Sequence, residues 1–266
     1  MAKASNHPAV TQAQAPERLD DHIFFGMRLD EQQTAFRDAI WDDSKRIVFS
    51  NSRSGTGKTT IAVATALLLC QYRRYDSIVY VMHSVGDAQG FLPGTISEKS
   101  SVWFEGLYQA IYAANEMPEK IISTESMAGR KDGTAYVTAI TDSYLRGSNI
   151  GACERTVLIV DEAQNYDEHS LRKVLTRANE GTKAIVIGHD GQIDLKYKSD
   201  SAFVRCMDHF AAKNDSRVAF CPLTKNYRGF ISSVADELWD ENQHAREENR
   251  IGFWVSHPMD TAITLV

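Results

Sequence analysis

Two short stretches of the sequence hold residue types whose spacing suits phosphate chemistry. The first runs Ser52, Arg53, Ser54, Gly55, Thr56, Gly57, Lys58, Thr59, Thr60; it follows a β-branched run and opens a long apolar stretch at helical spacing. Glycines there let backbone N–H groups turn inward onto an anion, and a helix N-terminus adds a favourable dipole. Lys58 suits the outer phosphates of a nucleoside triphosphate, and the Thr59 hydroxyl suits magnesium. Ser54, Gly55, Thr56, Gly57 and Thr60 complete the expected cradle. The second stretch is the apolar run Thr156–Val160, which ends in Asp161 and Glu162. Asp161 is placed to hold a magnesium shell and Glu162 to polarise a water for attack on a γ-phosphate. Acids at this point can also cap the helix that follows. The phosphate loop in the same chain favours the chemical reading.

Two further positions extend the candidate site. Lys183–Gly188 reads as a strand ending in His189, Asp190, Gly191 and Gln192, and the Gln192 amide is the side chain expected to reach the γ-phosphate or its attacking water. His189 reads as a packing or hydrogen-bonding residue at a strand end. Beyond the last apolar run, Arg228 in Asn226-Tyr227-Arg228 offers a planar guanidinium that pairs with phosphoryl oxygens, as an arginine finger in the same chain or across to a neighbour. A surface salt bridge explains its spacing equally well.

The elements that must position these residues follow from the apolar runs. Ile47–Phe49, Ile78–Val81, Val157–Val160, Ala184–Ile187 and Val218–Phe220 are short, continuous and bounded by turn residues, as strands buried on both faces are. Helical stretches at Thr59–Gln71, His169–Asn179 and Phe230–Glu241 alternate with them, and a helix with Leu29, Phe36, Ile40 and Trp41 on one face precedes the first strand. The fold class is therefore α/β: a RecA-like P-loop domain with a doubly wound, mostly parallel, five-stranded core sheet. Residues 84–154 form an insertion after the second strand, with a helix expected around Val102–Asn115 and a strand or hairpin around Ala135–Thr141. Residues 1–20, poor in large apolar side chains, are expected to be a disordered tail, and 21–266 a single P-loop ATPase domain.

Composition removes several classes. No run approaches the ~20 apolar residues that cross a bilayer, so no membrane association and a cytoplasmic location are expected. The four cysteines, Cys70, Cys153, Cys206 and Cys221, lack paired spacing and read as reduced. A formal net charge of -6 argues against a protein that blankets nucleic acid with Lys and Arg, so any such contact must be local. The small basic groups Lys45-Arg46, Arg73-Arg74 and Lys196/Lys198 read as solvated faces. Trp103, Phe104, Tyr108 and Tyr112 can stack on bases, but their near-helical spacing reads more readily as core.

Taken together these motifs resemble the PhoH family of phosphate-starvation-inducible ATPases, relatives of the first lobe of superfamily-1 helicases. Gly90-Phe91-Leu92-Pro93-Gly94 with Glu98-Lys99, Leu145-Arg146-Gly147, Asp161-Glu162-Ala163-Gln164-Asn165 and Gln192-Ile193-Asp194-Leu195 occur in the family's order. The resemblance spans roughly residues 29–235. It implies that Gln33, or Gln32 one residue earlier, reads adenine, that ATP and Mg2+ are the ligands, and that the work is done on RNA or another single strand. One RecA-like lobe lacks the second face of a two-lobed cleft, which implies a homo-oligomer with Arg228 acting in trans. The short form is also similar to versions carried by bacteriophages, which would place it in the host cytoplasm. Two departures stand out: Ser52 where the family has Gly, and His189-Asp190 where it has Asp-Pro. They leave open a nucleotide-binding scaffold or switch with little hydrolysis. A small-molecule kinase shares the phosphate loop, but such enzymes exclude water, and Asp161-Glu162 are poised for it.

Overall fold

The computed structural model describes residues 15–20, 24–83, 104–123, 135–145, 147 and 149–235. The chain divides into two compact units, residues 1–224 and residues 225–266. In the first, seven strands among the described residues form one sheet: β1 (Ile47–Asn51), β2 (Ser77–Met82), β3 (Ile122–Ser123), β4 (Val137–Thr141), β5 (Thr156–Val160), β6 (Thr182–Gly188) and β7 (Val218–Phe220). Their order is β3-β4-β2-β5-β6-β1-β7, and every pairing is parallel. The strand of the phosphate loop, β1, is separated from the strand of the acidic pair, β5, by β6 alone. This is a RecA-like doubly wound sheet.

The sheet corrects the expected strand count. Seven strands replace five because the insertion contributes β3 and β4. The run around Ala135–Thr141 does not form a hairpin; β4 lies parallel to β2, from Ile78 opposite Val137 to Met82 opposite Thr141. Without it β2 would present a bare edge of unpaired N–H and C=O groups. Parallel pairing needs a long crossover, and the insertion supplies it through α3 (Glu105–Ala113) and α4 (Pro118–Ile121).

Strand side chains alternate between two cores. Val48, Ile78, Tyr80, Val157, Ile159, Ile185 and Ile187 face one side, with α1 (Glu31–Trp41), α2 (Lys58–Gln71) and α3. Phe49, Val79, Val81, Leu158, Val160 and Val186 face the other, with α5 (Glu168–Leu175) and α6 (Phe203–Ala211). Being buried on both faces is why these strands read as continuous apolar runs. The α3 N-cap Phe104 and, on the helix, Leu107, Ala110 and Ile111 are core, whereas Tyr112 is 53% exposed and donates to Glu119 Oε1 at 2.6 Å. Trp103 lies outside the described residues, as does most of 84–134.

Two features fix α1 beside the phosphate loop. Its N-terminus carries a reciprocal capping box: Asp30 Oδ1 accepts from Gln33 N at 2.7 Å, and Gln33 Oε1 accepts from Asp30 N at 3.1 Å. At its other end, the buried Lys183 of β6 reaches across and donates to the carbonyls of Ile40 at 2.8 Å and Asp42 at 2.6 Å. These carbonyls at the helix C-terminus have no intrahelical partner, and a cation suits them. Burial nevertheless lowers the Lys183 pKa to about 7.

Of the expected tail, residues 1–14 lie outside the described set. Residues 15–20 are held on α1, where Pro16 O accepts from Trp41 Nε1 at 3.2 Å and Asp20 O accepts from the buried Arg37 Nη1 at 2.6 Å. In the second unit, 230–235 is helical, the start of the expected Phe230–Glu241 helix; the rest of that helix lies outside the described residues. Asn226 organises the turn before it, accepting from Arg228 N at 2.8 Å and donating to Ser232 Oγ at 2.9 Å. Among the described residues no helix is long and apolar enough to cross a membrane.

Candidate phosphate and metal site

The site lies at the C-terminal ends of β1, β5 and β6, where ligands of open parallel sheets bind. The chain leaves β1 at Asn51 and turns through residues 52–57 into α2. Gly55 and Gly57 have φ of +78° and +85°, a left-handed backbone that side chains disfavour. Gly57 is the N-cap of α2 and provides no side-chain hydrogen bond to the first turn. The orphan N–H groups of Lys58, Thr59 and Thr60 are thus served by no cap side chain. A Cβ on Gly57 would stand 3.3 Å from Gln33 Nε2. Lys58 is buried, with Nζ 3.5 Å from Arg53 O, which also accepts from Thr56 Oγ1 at 2.9 Å.

The acidic pair is brought to this loop by β5. Thr59 Oγ1 donates to Asp161 Oδ2 at 2.9 Å, although 102 residues separate them. The same oxygen accepts from the Tyr80 hydroxyl at 2.5 Å, and Asp161 Oδ1 accepts from Glu162 N at 2.8 Å. Burial and the Glu162 charge push the Asp161 carboxyl up, opposed by the Tyr80 hydrogen bond and the Lys58 charge. A hydroxyl and a carboxylate in contact form the hard oxygen donor set that Mg2+ prefers, so these residues fit that ion.

Glu162 has φ 50° and ψ 43°, left-handed for a residue with a side chain. This turn carries its carboxylate to Gln164, whose Nε2 donates to Glu162 Oε2 at 2.6 Å and to Gln192 O at 3.0 Å. Gln164 Oε1 accepts from His189 N at 2.9 Å. Asn165 and Asp194 repeat the tie: Asp194 N donates to Asn165 Oδ1 at 2.8 Å. Gly188 must be glycine for this contact, since a Cβ there would lie 2.7 Å from Gln164 Oε1 and 2.9 Å from the Phe203 ring.

The structure therefore brings Ser54, Gly55, Thr56, Gly57, Lys58, Thr59, Thr60, Asp161, Glu162 and the Gln192 backbone to one end of the sheet. The Gln192 side chain is exposed. Gln33 also joins the site, though as a brace: its Nε2 donates to Thr56 O at 2.9 Å. Gln32 instead accepts from Thr224 N and Oγ1 at 3.0 and 2.9 Å. Arg228 belongs to the second unit. His189 Nδ1 is buried with no partner among the described residues.

Sequence reasoning passed over three residues. Gln164 was visible only as one letter of a motif, and Tyr80 only as core. Ser52, read as a substitution of glycine, is a latch: its Oγ accepts from Leu223 N at 2.7 Å and pairs with Ser50 Oγ at 2.7 Å, while Ser52 N donates to Gly188 O at 2.9 Å. A glycine would lose the two hydroxyl bonds.

A family model described as "PhoH-like protein" matches residues 27–231, most of the chain and every element of this site. The chain belongs to the PhoH-like family. It is 31% identical over 221 residues to a PhoH-like protein of Mycobacterium leprae, covering 82% of this chain and 60% of that one. To protein PhoH2 of Bacillus subtilis it is 31% identical over 183 residues, covering 67% of this chain and 40% of the relative. The chain thus spans about half the length of the curated PhoH-like relatives it matches. Among solved structures it is similar to the HK97 bacteriophage large terminase, with a TM-score of 0.48 and 16% identity over 86% of this chain and 48% of the terminase. Of the PhoH-like motifs named from the sequence, Asp161-Glu162-Ala163-Gln164-Asn165 and Gln192-Ile193-Asp194-Leu195 meet here, through Gln164 on Gln192 O and Asn165 on Asp194 N; Gly90 to Gly94, Glu98-Lys99 and Arg146 lie outside the described residues.

Proposed function

We propose that this P-loop protein is a magnesium-dependent ATP hydrolase that works on RNA or another single-stranded nucleic acid. The observation that carries the reading is the contact of Thr59 Oγ1 with Asp161 Oδ2 at the mouth of a glycine-turned loop, with Glu162 the next residue along. Magnesium, when bound, would neutralise charge on the outer phosphates. Thr59 and Asp161 are the residues that would hold it. Backbone N–H groups of residues 54–60 cradle the phosphates, and Lys58 pairs with their outer oxygens.

Glu162 acts as general base, accepting a proton from the attacking water on its carboxylate while Gln164 holds the other face of that group. Gln192 is the second polar group near the transferred phosphoryl. Gln33 keeps its second amide N–H and a carbonyl lone pair for the edge of an adenine while bracing Thr56. Arg228 supplies the remaining cation, in the same chain or from a neighbour in a homo-oligomer.

The test is phosphate release from ATP with Mg2+, with and without single-stranded RNA, for the parent and Glu162→Gln. Release by the parent that rises with RNA and vanishes in the variant supports the proposal. A parent that binds ATP yet releases no phosphate sinks it. A nucleotide-operated switch would then be the better reading, a role favoured by the 2.6 Å engagement of Glu162 by Gln164.

A further inference from the structure

Tyr80 is 1% exposed at the centre of β2, and its hydroxyl donates into the carboxylate that faces the phosphate loop. Asp161, 3% exposed, is thereby met by three donors: Tyr80 Oη and Thr59 Oγ1 on Oδ2, and Glu162 N on Oδ1. Glu162 N comes from the adjacent residue and cannot orient the group against the loop. Thr59 is itself a candidate ligand. Tyr80 is the one donor of the three that is neither adjacent in sequence nor a ligand, and its ring is fixed edge-on against Phe104, with centroids 6.1 Å apart.

We propose that Tyr80 is a positioning residue for the metal site: its hydroxyl sets the rotation of the Asp161 carboxylate, so that Oδ2 stays on Thr59 whether or not a cation is present. This rests on the reading of Thr59 and Asp161 as the metal-holding pair. A hydroxyl on the strand next to β5 can do this because β2 and β5 are hydrogen-bonded neighbours with Tyr80 directly opposite Ile159, two residues before Asp161. The phenol then reaches along the sheet to the carboxylate at the end of the adjacent strand. Partners that orient metal ligands typically change metal affinity 10- to 100-fold when removed.

The experiment measures Mn2+ binding by electron paramagnetic resonance in the presence of a non-hydrolysable ATP analogue. It is run for the parent, Tyr80→Phe and Phe104→Leu, with nucleotide affinity in EDTA and melting temperature recorded alongside. Tyr80→Phe keeps the ring and its packing and is expected to bind Mn2+ about tenfold more weakly, with nucleotide affinity in EDTA unchanged. Phe104→Leu loosens the ring packing but keeps the hydroxyl, and should stay within about twofold of the parent, small against the effect of losing an orienting partner. Unchanged Mn2+ affinity in Tyr80→Phe, or an equal loss in Phe104→Leu, would overturn the positioning role. A parent that binds no Mn2+ with the analogue would overturn the metal-site reading itself, a result separable from the other two.

Discussion

Lys183 gives the sharpest quantitative test of the packing. It is 0% exposed, donates to the carbonyls of Ile40 and Asp42, and has its pKa lowered from 10.5 to about 7, first by burial. The charges of Asp42 and Asp43 act in the opposite sense. Between pH 7 and 10.5 the unfolded chain therefore holds a proton on this amine that the folded chain has released, and stability must rise with pH across that window. Below pH 7 both states are protonated and the contribution is flat. Each unit of pH is worth about 1.36 kcal/mol at full slope, so between pH 7 and pH 9 the parent should gain roughly 2 kcal/mol from this one group. Lys183→Met removes the titration. Urea unfolding of both proteins at pH 6, 7, 8 and 9 isolates the effect, because the other ionisable groups are common to both. With a slope of about 2 kcal/mol per molar, the parent midpoint should move up by close to 1 M relative to the variant between pH 7 and 9. Parallel pH profiles for the two proteins would refute the placement of an uncharged-on-demand amine against the end of α1.

Two smaller predictions concern backbone strain and an unmet hydroxyl. Glu162→Gly and Glu162→Ala both remove the carboxylate and should both lack hydrolysis, but only Ala keeps a Cβ at φ 50°; Glu162→Gly should be the more stable by about 1 kcal/mol, or some 2–4 °C in melting temperature, and equal melting would count against a left-handed Glu162. The Tyr166 hydroxyl is buried with no hydrogen-bond partner among the described residues, so Tyr166→Phe should stabilise the protein by about 1 kcal/mol in the same denaturant assay, and a loss of that size would mean that the hydroxyl has a partner.

How much of this was legible in the sequence depended on distance along the chain. The phosphate loop and the acidic pair were readable because each is a local pattern: a strand, a turn, and residues with one chemical task apiece. Four of the five expected strands, β1, β2, β5 and β6, were readable because burial on both faces leaves an unbroken apolar run; the fifth, β7, keeps the apolar run but is a three-residue edge strand with Phe220 39% exposed, so the expectation of two buried faces fails there. β3, only Ile122 and Ser123, carries no such signal, and β4 was ambiguous because one apolar run cannot declare which strand it joins or in which direction. The missed side chains act across the fold. Tyr80 meets a partner 81 residues away, Lys183 one 143 away and Ser52 one 171 away. At those separations a tyrosine, lysine or serine looks like any other in its element. Gln33 shows the intermediate case: its place beside the site was inferred from resemblance, but its capping of α1 and its bond to Thr56 O are local geometry that the fold adds.

The side-chain amide of Gln164 is a rigid plane, and that plane touches the carboxylate of Glu162, the carbonyl of Gln192 and the amide N–H of His189 at once. Turning it about a single torsion breaks three bonds together, so none of the three partners can drift while the other two stay put. Strand ends from two different elements are thereby locked into one cooperative opening unit. In hydrogen exchange the His189 amide would report the state of the Glu162 carboxylate, a residue it never contacts. A signal about the reacting end of the nucleotide site would pass to the loop after β6 as an all-or-none event carried by one side chain.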